Sequence, residues 1–278
     1  MNTTSLILLA GGASSRMKTS VADHPLDPKT RAIAQQQHKC LIPLGKEQKP
    51  LLIRLLENAQ AAGYTVFYIV TAPENEAFHD VLKAFPIGPS SAIDIRWIAQ
   101  HTPSHRKKPL GTADAVRQVL RHYPQLENER FTVGNGDNLY SVESLKKLRL
   151  HQASPHAMIG YARSALLFSK ERIRRFAILE KNTQGFLTQI IEKPTPAQME
   201  TTTSQGNDVF VSMNLFLFHG GLVLPYLENC PLHPERDEME LPVAVHSMID
   251  AVPNSLFCYA LAENVPDITA AADLDTFA

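Results

Sequence analysis

Hydrophobic and polar positions change their spacing regularly along the first half of the chain. Short apolar or β-branched runs predict strands, and they occupy residues 5–10, 65–72, 92–100 and 130–135. The stretches between them carry apolar residues three and four positions apart and predict helices, at residues 50–63, 73–85 and 111–123. Strands that alternate with helices form βαβ units with right-handed crossovers, so this half is expected to build a parallel sheet.

The second half of the chain favours strands that pair with near neighbours. Residues 175–194 predict two strands around a polar turn at 182–185, and residues 207–219 predict another long strand. Three further elements complete the pattern: a helix at 236–251, a strand at 256–262 and a helix at 268–278. The whole pattern predicts an α/β protein with a mixed central sheet.

Composition and charge exclude several classes of partner. The 278-residue chain is 44% hydrophobic and has a formal net charge of −1, so no overall charge attracts nucleic acid or an anionic membrane. No apolar run approaches the ~20 residues of a membrane-spanning helix, and residues 6–10 are too short an apolar run for a secretion signal. Three widely separated cysteines favour a reducing compartment. We therefore expect a cytoplasmic protein, and the sequence leaves a homo-oligomer open.

The first predicted strand ends in two glycines, in the stretch LILLAGGASSRMK. Ligands of open α/β sheets bind beyond the carboxyl ends of the strands, where Gly11 and Gly12 let a backbone come close to a phosphate. Arg16 can then donate two hydrogen bonds to phosphate oxygens. A tight turn followed by a solvated arginine explains the same residues equally well.

Other short motifs also have two interpretations. Lys39, ahead of an apolar run, is either a second phosphate cation or a surface lysine. Gly111 either brings backbone against a flat ligand such as a nucleobase or only precedes a helix, with Thr112 as its N-cap. Asp137 follows a strand and Asp267 precedes a helix, where a carboxylate either holds a divalent cation or stabilises a turn.

The order of these motifs is more informative than any one of them. LAGGASSRM, KCLIPL, GTADAVRQ, GDNLY, EKP, SMNLFLF and VPDI follow one another along nearly the whole chain. This series resembles the sugar-1-phosphate nucleotidylyltransferase family, and GTADAVRQ and SMN look most like ADP-glucose pyrophosphorylase, with the thymidylyl- and uridylyltransferases close to it. LAGGASSRM alone is equally similar to the cytidylyltransferase branches, which lack the EKP and GTADAV runs.

The resemblance implies a fold, a metal and a set of roles. The fold is a three-layer α/β/α, Rossmann-like (GT-A-like) nucleotidyltransferase domain over residues 1–278, with a nucleotide-binding half at 1–140 and a sugar-phosphate-binding half at 141–278. Catalytic roles are implied for Arg16, Lys39 and Asp137, and Mg²⁺ binding for Asp137 and Asp267. Nucleotide binding is implied for Leu9, Ala10, Gly11, Gly12, Gly111 and Thr112. Sugar-phosphate binding is implied for Glu192, Lys193, Ser212 and Asn214.

The implied reaction joins an NTP and a sugar 1-phosphate to give an NDP-sugar and pyrophosphate. Two alternatives stay open, a cytidylyl- or guanylyltransferase acting on a non-sugar phosphate or cofactor and a non-catalytic protein that binds nucleotide sugars. Asn214 stands where many relatives have glycine, and the loop at 17–38 is longer than usual in the family. We expect residues 18–38 and 195–207 to be mobile, and we assign no role to the eleven histidines.

Overall fold

The computed structural model describes residues 3–88, 93–192, 194–195 and 208–277. The chain divides into two compact units. The N-terminal unit consists of Thr4–His101, Gly134–Lys146 and Pro266–Ala278, and the central unit consists of Met1–Thr3, Thr102–Val133 and Lys147–Val265. Each unit therefore draws on segments that are far apart in the sequence.

The N-terminal unit is built on three parallel strands. Strand β4 (Val66–Thr71) pairs with β1 (Ser5–Leu9) on one side and with β5 (Asp94–Ala99) on the other. Four of the five residues of β1 are buried, as the unbroken apolar run predicts for a strand covered on both faces. Two short strands, β2 (Pro43–Leu44) and β3 (Lys49–Pro50), form a separate antiparallel pair.

Helices cover these strands and fill the long loop after β1. They are α1 (Ser15–Ser20), α2 (Pro28–Gln36), α3 (Leu51–Ala61) and α4 (Glu76–Ala84). The loop at 18–38, expected to be mobile, is instead folded into α1, a 3₁₀ turn and α2.

Buried apolar side chains explain why this loop folds. Val21 and Ala34 from the loop are fully buried in one cluster with Ile268 and Ala271 from the end of the sequence. The Ser20 hydroxyl oxygen accepts a hydrogen bond from the Ala271 backbone N–H at 2.8 Å. The expectation for 195–207 falls almost wholly outside the described residues.

The central unit contains the antiparallel part of the sheet. The long strand β10 (Phe210–His219) pairs antiparallel with β6 (Arg130–Asn135), β7 (His156–Ala162) and β8 (Ile178–Lys181). Strand β11 (Leu256–Leu261) runs parallel to β7, and β9 (Leu187–Ile191) forms the predicted hairpin with β8. The α/β class with a mixed sheet is confirmed.

Five more helices are described: α5 (Thr112–His122), α6 (Val142–Leu150), α7 (Lys170–Ile173), α8 (Gly220–Glu228) and α9 (Leu241–Ala251). The helix expected at 236–251 thus begins five residues later, and the helix expected at 268–278 is a 3₁₀ helix at Ala271–Phe277. Among the described residues, no helix is long and apolar enough to span a membrane.

Candidate functional site

Backbone hydrogen bonds hold the beginning of the loop after β1, and the residues that follow are accessible to a ligand. The Ala10 backbone N–H donates to the Val70 carbonyl at 2.8 Å, and the Gly136 N–H donates to the Leu9 carbonyl at 2.9 Å. A Cβ on Gly136 would lie only 3.0 Å from the Cβ of the buried Ala10. Gly136 therefore serves close packing, and the Ala10 side chain faces protein.

The next three residues offer their backbone to a ligand. No described residue accepts a hydrogen bond from the backbone N–H of Gly11, Gly12 or Ala13. A Cβ on Gly11 would lie 3.2 Å from the Gln100 side-chain oxygen. Within the described parts of the chain, a Cβ on Gly12 would have only His38 Nε2 within 4 Å, at 4.0 Å. Three successive N–H groups without an acceptor among the described residues are available to bind an anion.

Lys39 and Asp137 form an ion pair close to this loop. The Lys39 ammonium binds the Asp137 carboxylate, and their side chains are 13% and 21% exposed. The Lys39 backbone N–H donates to the Ser14 hydroxyl oxygen at 3.1 Å, so the lysine is tied to the glycine loop. Ser14 has a positive φ of 54°, a conformation uncommon for a residue with a side chain, so the tie holds a strained turn.

Asp267 lies on the chain segment that pairs with the Asp137 segment. The Ile268 N–H donates to the Asp137 carbonyl at 3.0 Å, and an isolated antiparallel bridge places Asn138 opposite Asp267. The Thr269 hydroxyl lies 3.2 Å from both Asp267 carboxylate oxygens and donates to them. The structure thus brings the two predicted metal-binding segments together, with the buried Asn138 beside them as a residue that the sequence analysis missed.

The two aspartates suit a cation that shares its coordination with a ligand. Among the described residues, no group of three or more His, Cys, Asp or Glu side chains is placed to hold a metal. Mg²⁺ needs only one or two carboxylates when phosphate oxygens complete its shell, so Asp137 and Asp267 fit that ion. An ammonium already lies against Asp137, which shows that this carboxylate accepts a cation.

Arg16 lies on α1, exposed and unengaged. It forms no hydrogen bond or ion pair with any described residue, while its neighbour Met17 is fully buried and anchors the helix. The guanidinium is therefore free to bind an anion.

Gly111 and Thr112 belong to the central unit, unlike the glycine loop. Gly111 has a φ of 117° and, in place of the predicted Thr112, is the N-cap of α5. A Cβ on Gly111 would lie 2.6 Å from the Met239 carbonyl oxygen. The Thr112 hydroxyl instead accepts from the Leu241 N–H at 2.9 Å. Both residues thus join the start of α5 to the segment before α9, a long-range contact that the local sequence does not reveal.

Ser212 and Asn214 form an irregular point in β10. The pairing with β7 shifts register between Ser212 and Phe216, and Asn214 has a φ of 55°. The Ser212 hydroxyl oxygen accepts from the Asn214 N–H at 3.2 Å. Glycine and asparagine are the residues that adopt this conformation most easily, so the bulge explains why asparagine can stand here.

Glu192 follows β9 and is exposed, whereas Lys193 lies outside the described residues. Glu240, which no predicted motif included, is a buried carboxylate at the start of α9 that binds Arg236 at 2.8 Å. Burial raises the pKa of the Glu240 carboxyl, Arg236 opposes this, and the nearby negative charge of Glu192 adds to it. The run ERDEMELP, rich in acids before a helix, was the available signal.

A model of the family described as nucleotidyl transferase matches residues 6–252. The match covers every segment named above except the one that carries Asp267. The chain belongs to the nucleotidyl transferase family. The motif order predicted this membership, which is therefore confirmed at the level of the family.

Relatives of this nucleotidyl transferase include two glucose-1-phosphate adenylyltransferases. One, from Vibrio vulnificus, is 23% identical over 222 residues, which is 80% of this chain and 50% of that protein. Another, from Rhodopirellula baltica, is 24% identical over 245 residues, which is 85% of this chain and 50% of that protein. The chain spans about half the length of these relatives.

A solved structure shares the fold of this nucleotidyl transferase. The crystal structure of HddC from Yersinia pseudotuberculosis superposes with a TM-score of 0.65 at 16% sequence identity, and the match covers 99% of this chain and 98% of that one. At this identity the likeness shows the fold alone. The roles of individual side chains stay predictions.

Proposed function

We propose that this nucleotidyl transferase moves a nucleoside monophosphate from an NTP to a sugar 1-phosphate and releases pyrophosphate, with Mg²⁺ as the metal. The observation that carries the proposal is the Lys39–Asp137 ion pair, which is tied through Ser14 to the open backbone of the glycine loop. It combines a phosphate-binding backbone, a cation and a metal-binding carboxylate within one unit.

The polyphosphate is proposed to bind in the N-terminal unit. The free N–H groups of Gly11, Gly12 and Ala13 donate to phosphate oxygens, and the Lys39 ammonium and Arg16 guanidinium balance their charge. Asp137 and Asp267 would hold Mg²⁺, which neutralises and orients the phosphates when bound. If Asp137 held the metal, the Lys39 ammonium would lose its carboxylate partner and would be available to the phosphates.

The transfer needs little covalent help from the protein. An oxygen of the sugar phosphate attacks the α-phosphorus, and the bond from that phosphorus to the bridging oxygen of the leaving pyrophosphate breaks. The attacking oxygen is already ionised near neutral pH, so no general base is required. The contribution of the chain is to position two anions and to reduce their repulsion.

The sugar phosphate is proposed to bind in the central unit. Glu192 accepts hydrogen bonds from sugar hydroxyls, the neighbouring Lys193 holds the phosphate, and Ser212 and Asn214 border the same ligand. Gly111 and Thr112 are proposed to contact the base or ribose through their backbone, since the Thr112 hydroxyl is already engaged. The exposure of Glu192 supports the first of these roles.

The test is a matrix of substrates. The folded chain is incubated with Mg²⁺, each of five NTPs and a panel of sugar 1-phosphates, and pyrophosphate release is measured. We expect release with at least one pair, and Glu192→Gln should raise the KM for the sugar phosphate roughly 10-fold. Glu180→Gln, at an exposed glutamate on β8, is the matched control and should change nothing.

Other outcomes identify the alternatives. Turnover of CTP or GTP with a non-sugar phosphate, unaffected by Glu192→Gln, indicates the other branch of the fold. Nucleotide-sugar binding without pyrophosphate release from any pair indicates a protein that binds but does not catalyse. Either result overturns the proposal.

A further inference from the structure

His38 lies beside the open part of the glycine loop. Its Nε2 atom is 4.0 Å from the position that a Cβ on Gly12 would occupy. One side of the ring packs on Phe78, with ring centres 5.7 Å apart. Nε2 makes no hydrogen bond with any described residue, so it faces the loop without a partner.

The proton on this ring can be assigned from its contacts. The Cys40 backbone N–H donates to His38 Nδ1 at 3.3 Å, and the Cys40 sulfur lies 3.0 Å from the same nitrogen. Burial raises the pKa of the Cys40 thiol, so the sulfur keeps its proton and is a second donor. A nitrogen that accepts from two donors carries no proton, so the neutral ring is protonated at Nε2.

The ring is also neutral under ordinary conditions. Burial lowers the pKa of His38 to about 4, with Asp137 acting in the opposite direction and Lys39 and Lys18 adding to the decrease. His38 is thus a neutral N–H donor between cationic side chains, held by a backbone contact at its far side.

We infer that His38 binds a phosphate oxygen of the NTP through its Nε2–H group, as a fourth donor beside the N–H groups of Gly11, Gly12 and Ala13. The inference rests on the proposed function, because it assumes that a polyphosphate occupies the loop. The chemistry favours an anion: the Nε2–H group faces a loop whose backbone N–H groups are donors, the Lys39 and Lys18 ammonium groups act on the ring, and the nearby Asp137 carboxylate is already paired with Lys39. A neutral donor suits a site where two lysines already supply positive charge.

Two substitutions separate this role from a structural one. Asparagine places its side-chain oxygen near the position of Nδ1, so His38→Asn keeps the acceptor for the Cys40 N–H and loses the donor at Nε2. Glutamine reaches to the position of Nε2, so His38→Gln keeps a donor there and loses the Nδ1 contact. Binding of inorganic tripolyphosphate with Mg²⁺ is measured by calorimetry, and unfolding in urea is measured for both variants.

We expect His38→Asn to weaken tripolyphosphate binding roughly 10-fold, the effect of losing one hydrogen bond to a charged group. His38→Gln should stay within about 3-fold of the wild type, as expected for a donor that is kept but imperfectly placed. If His38 only supports the turn at Cys40, the order reverses: the asparagine variant binds normally and the glutamine variant is less stable and binds weakly. That reversal, or equal binding by all three proteins, overturns the inference.

A spectroscopic measurement tests the contact directly. In a sample with ¹⁵N-labelled histidine, adding pyrophosphate should shift the Nε2–H resonance that disappears in His38→Asn. An unmoved resonance in a protein that binds pyrophosphate contradicts the inference while leaving the proposed function intact. A wild type that binds neither pyrophosphate nor tripolyphosphate overturns both.

Discussion

The two units of this protein contain polar groups that differ in whether other protein groups bind them. In the N-terminal unit, the backbone N–H groups of residues 11–13 and the Arg16 guanidinium have no partner among the described residues. In the central unit, the Asp114 carboxylate is fully buried and binds both Arg117 and the Gln118 side-chain nitrogen, the latter at 2.7 Å. One unit leaves donors open at the surface, and the other surrounds its charge with protein.

This difference follows from the cost of burying polar groups. A buried carboxylate without partners is strongly destabilising, so Asp114 is tolerated only because its partners are built into the same helix. Donors at the surface carry no such penalty while they are solvated, and they keep their binding capacity for a ligand. Groups that bind a substrate can therefore be recognised in the free protein by the lack of protein partners for their hydrogen bonds and charges.

The largest effect is expected at the ion pair between Lys39 and Asp137. Asp137→Asn removes the negative charge that binds Lys39 and the proposed metal, and it changes little volume. Pyrophosphate release should fall roughly 1000-fold or more while the urea midpoint stays near that of the wild type. Asp80→Asn, at an exposed aspartate, is the control and should retain full activity. Near-normal turnover in Asp137→Asn would show that the metal is held elsewhere.

Breaking the buried ion pair between Asp114 and Arg117 in the central unit should lower the stability of the protein. Arg117→Met keeps apolar contacts but leaves the Asp114 carboxylate with Gln118 alone, so unfolding should become easier by about 3 kcal/mol. Arg121→Met, on the same helix, removes an exposed pair with Glu228 and should cost no more than about 0.5 kcal/mol. Equal urea midpoints for the two variants would show that the buried pair contributes no more to stability than the exposed pair.

Arg16 allows the same comparison to be tested in the N-terminal unit. Arg16→Ala removes an exposed side chain that has no partner among the described residues, so stability should not change. The value of kcat/KM should fall roughly 30-fold because one charge on the polyphosphate is no longer balanced. Lys46→Ala, at another exposed cation, should leave kcat/KM unchanged. A loss of stability in Arg16→Ala with full activity would argue that the residue is structural.

The smallest effect is expected in the pH dependence of unfolding. Burial lowers the pKa of His156 to about 3. Between that pKa and the ordinary value near 6.5, the unfolded chain binds a proton that the folded chain does not. The contribution of His156 is therefore complete above about pH 6.5 and is lost as the pH falls.

Urea unfolding at pH 7 and pH 5 measures the contribution of His156 to the free energy of unfolding. The wild type should lose about 2 kcal/mol more between the two pH values than His156→Asn, whose side-chain oxygen can still accept from the His219 N–H. The exposed His105 offers the control, because His105→Asn should keep the full wild-type pH dependence. Identical pH dependence in His156→Asn and the wild type would mean that this ring is protonated in the fold.

Local patterns predicted most of the elements and fewer of their contacts. The three parallel strands of the N-terminal unit and the hairpin at 182–185 follow from apolar spacing and turn residues, which act over a few positions. Strand β7 was missed because it is buried along its whole length and contains a histidine and a glycine, which weaken both the apolar run and the alternation.

The residues of the candidate site also fall into those that a local pattern indicated and those that depend on distant contacts. Gly11 and Gly12 stand out in the sequence as the end of a strand, and Lys39 and Asp137 pair close to that loop in the structure, while the roles of all four stay predictions. The roles of Gly111 and Thr112 depend on Met239 and Leu241, more than a hundred positions away, so no local signal could separate a cap from a tertiary contact. His38 gains its significance from its position beside Gly12 and Phe78, and Glu240 from the nearby Glu192, and no local pattern indicates these neighbours.

The hydrogen bond between Ser20 and Ala271 joins residues that are 251 positions apart. During synthesis, the segment that follows the glycine loop emerges long before the segment that carries Ala271, so Val21 and Ala34 lack part of their packing partners in the meantime. A chaperone that shields Val21 and Ala34 during that interval would raise the yield of native protein more than it would alter the finished enzyme.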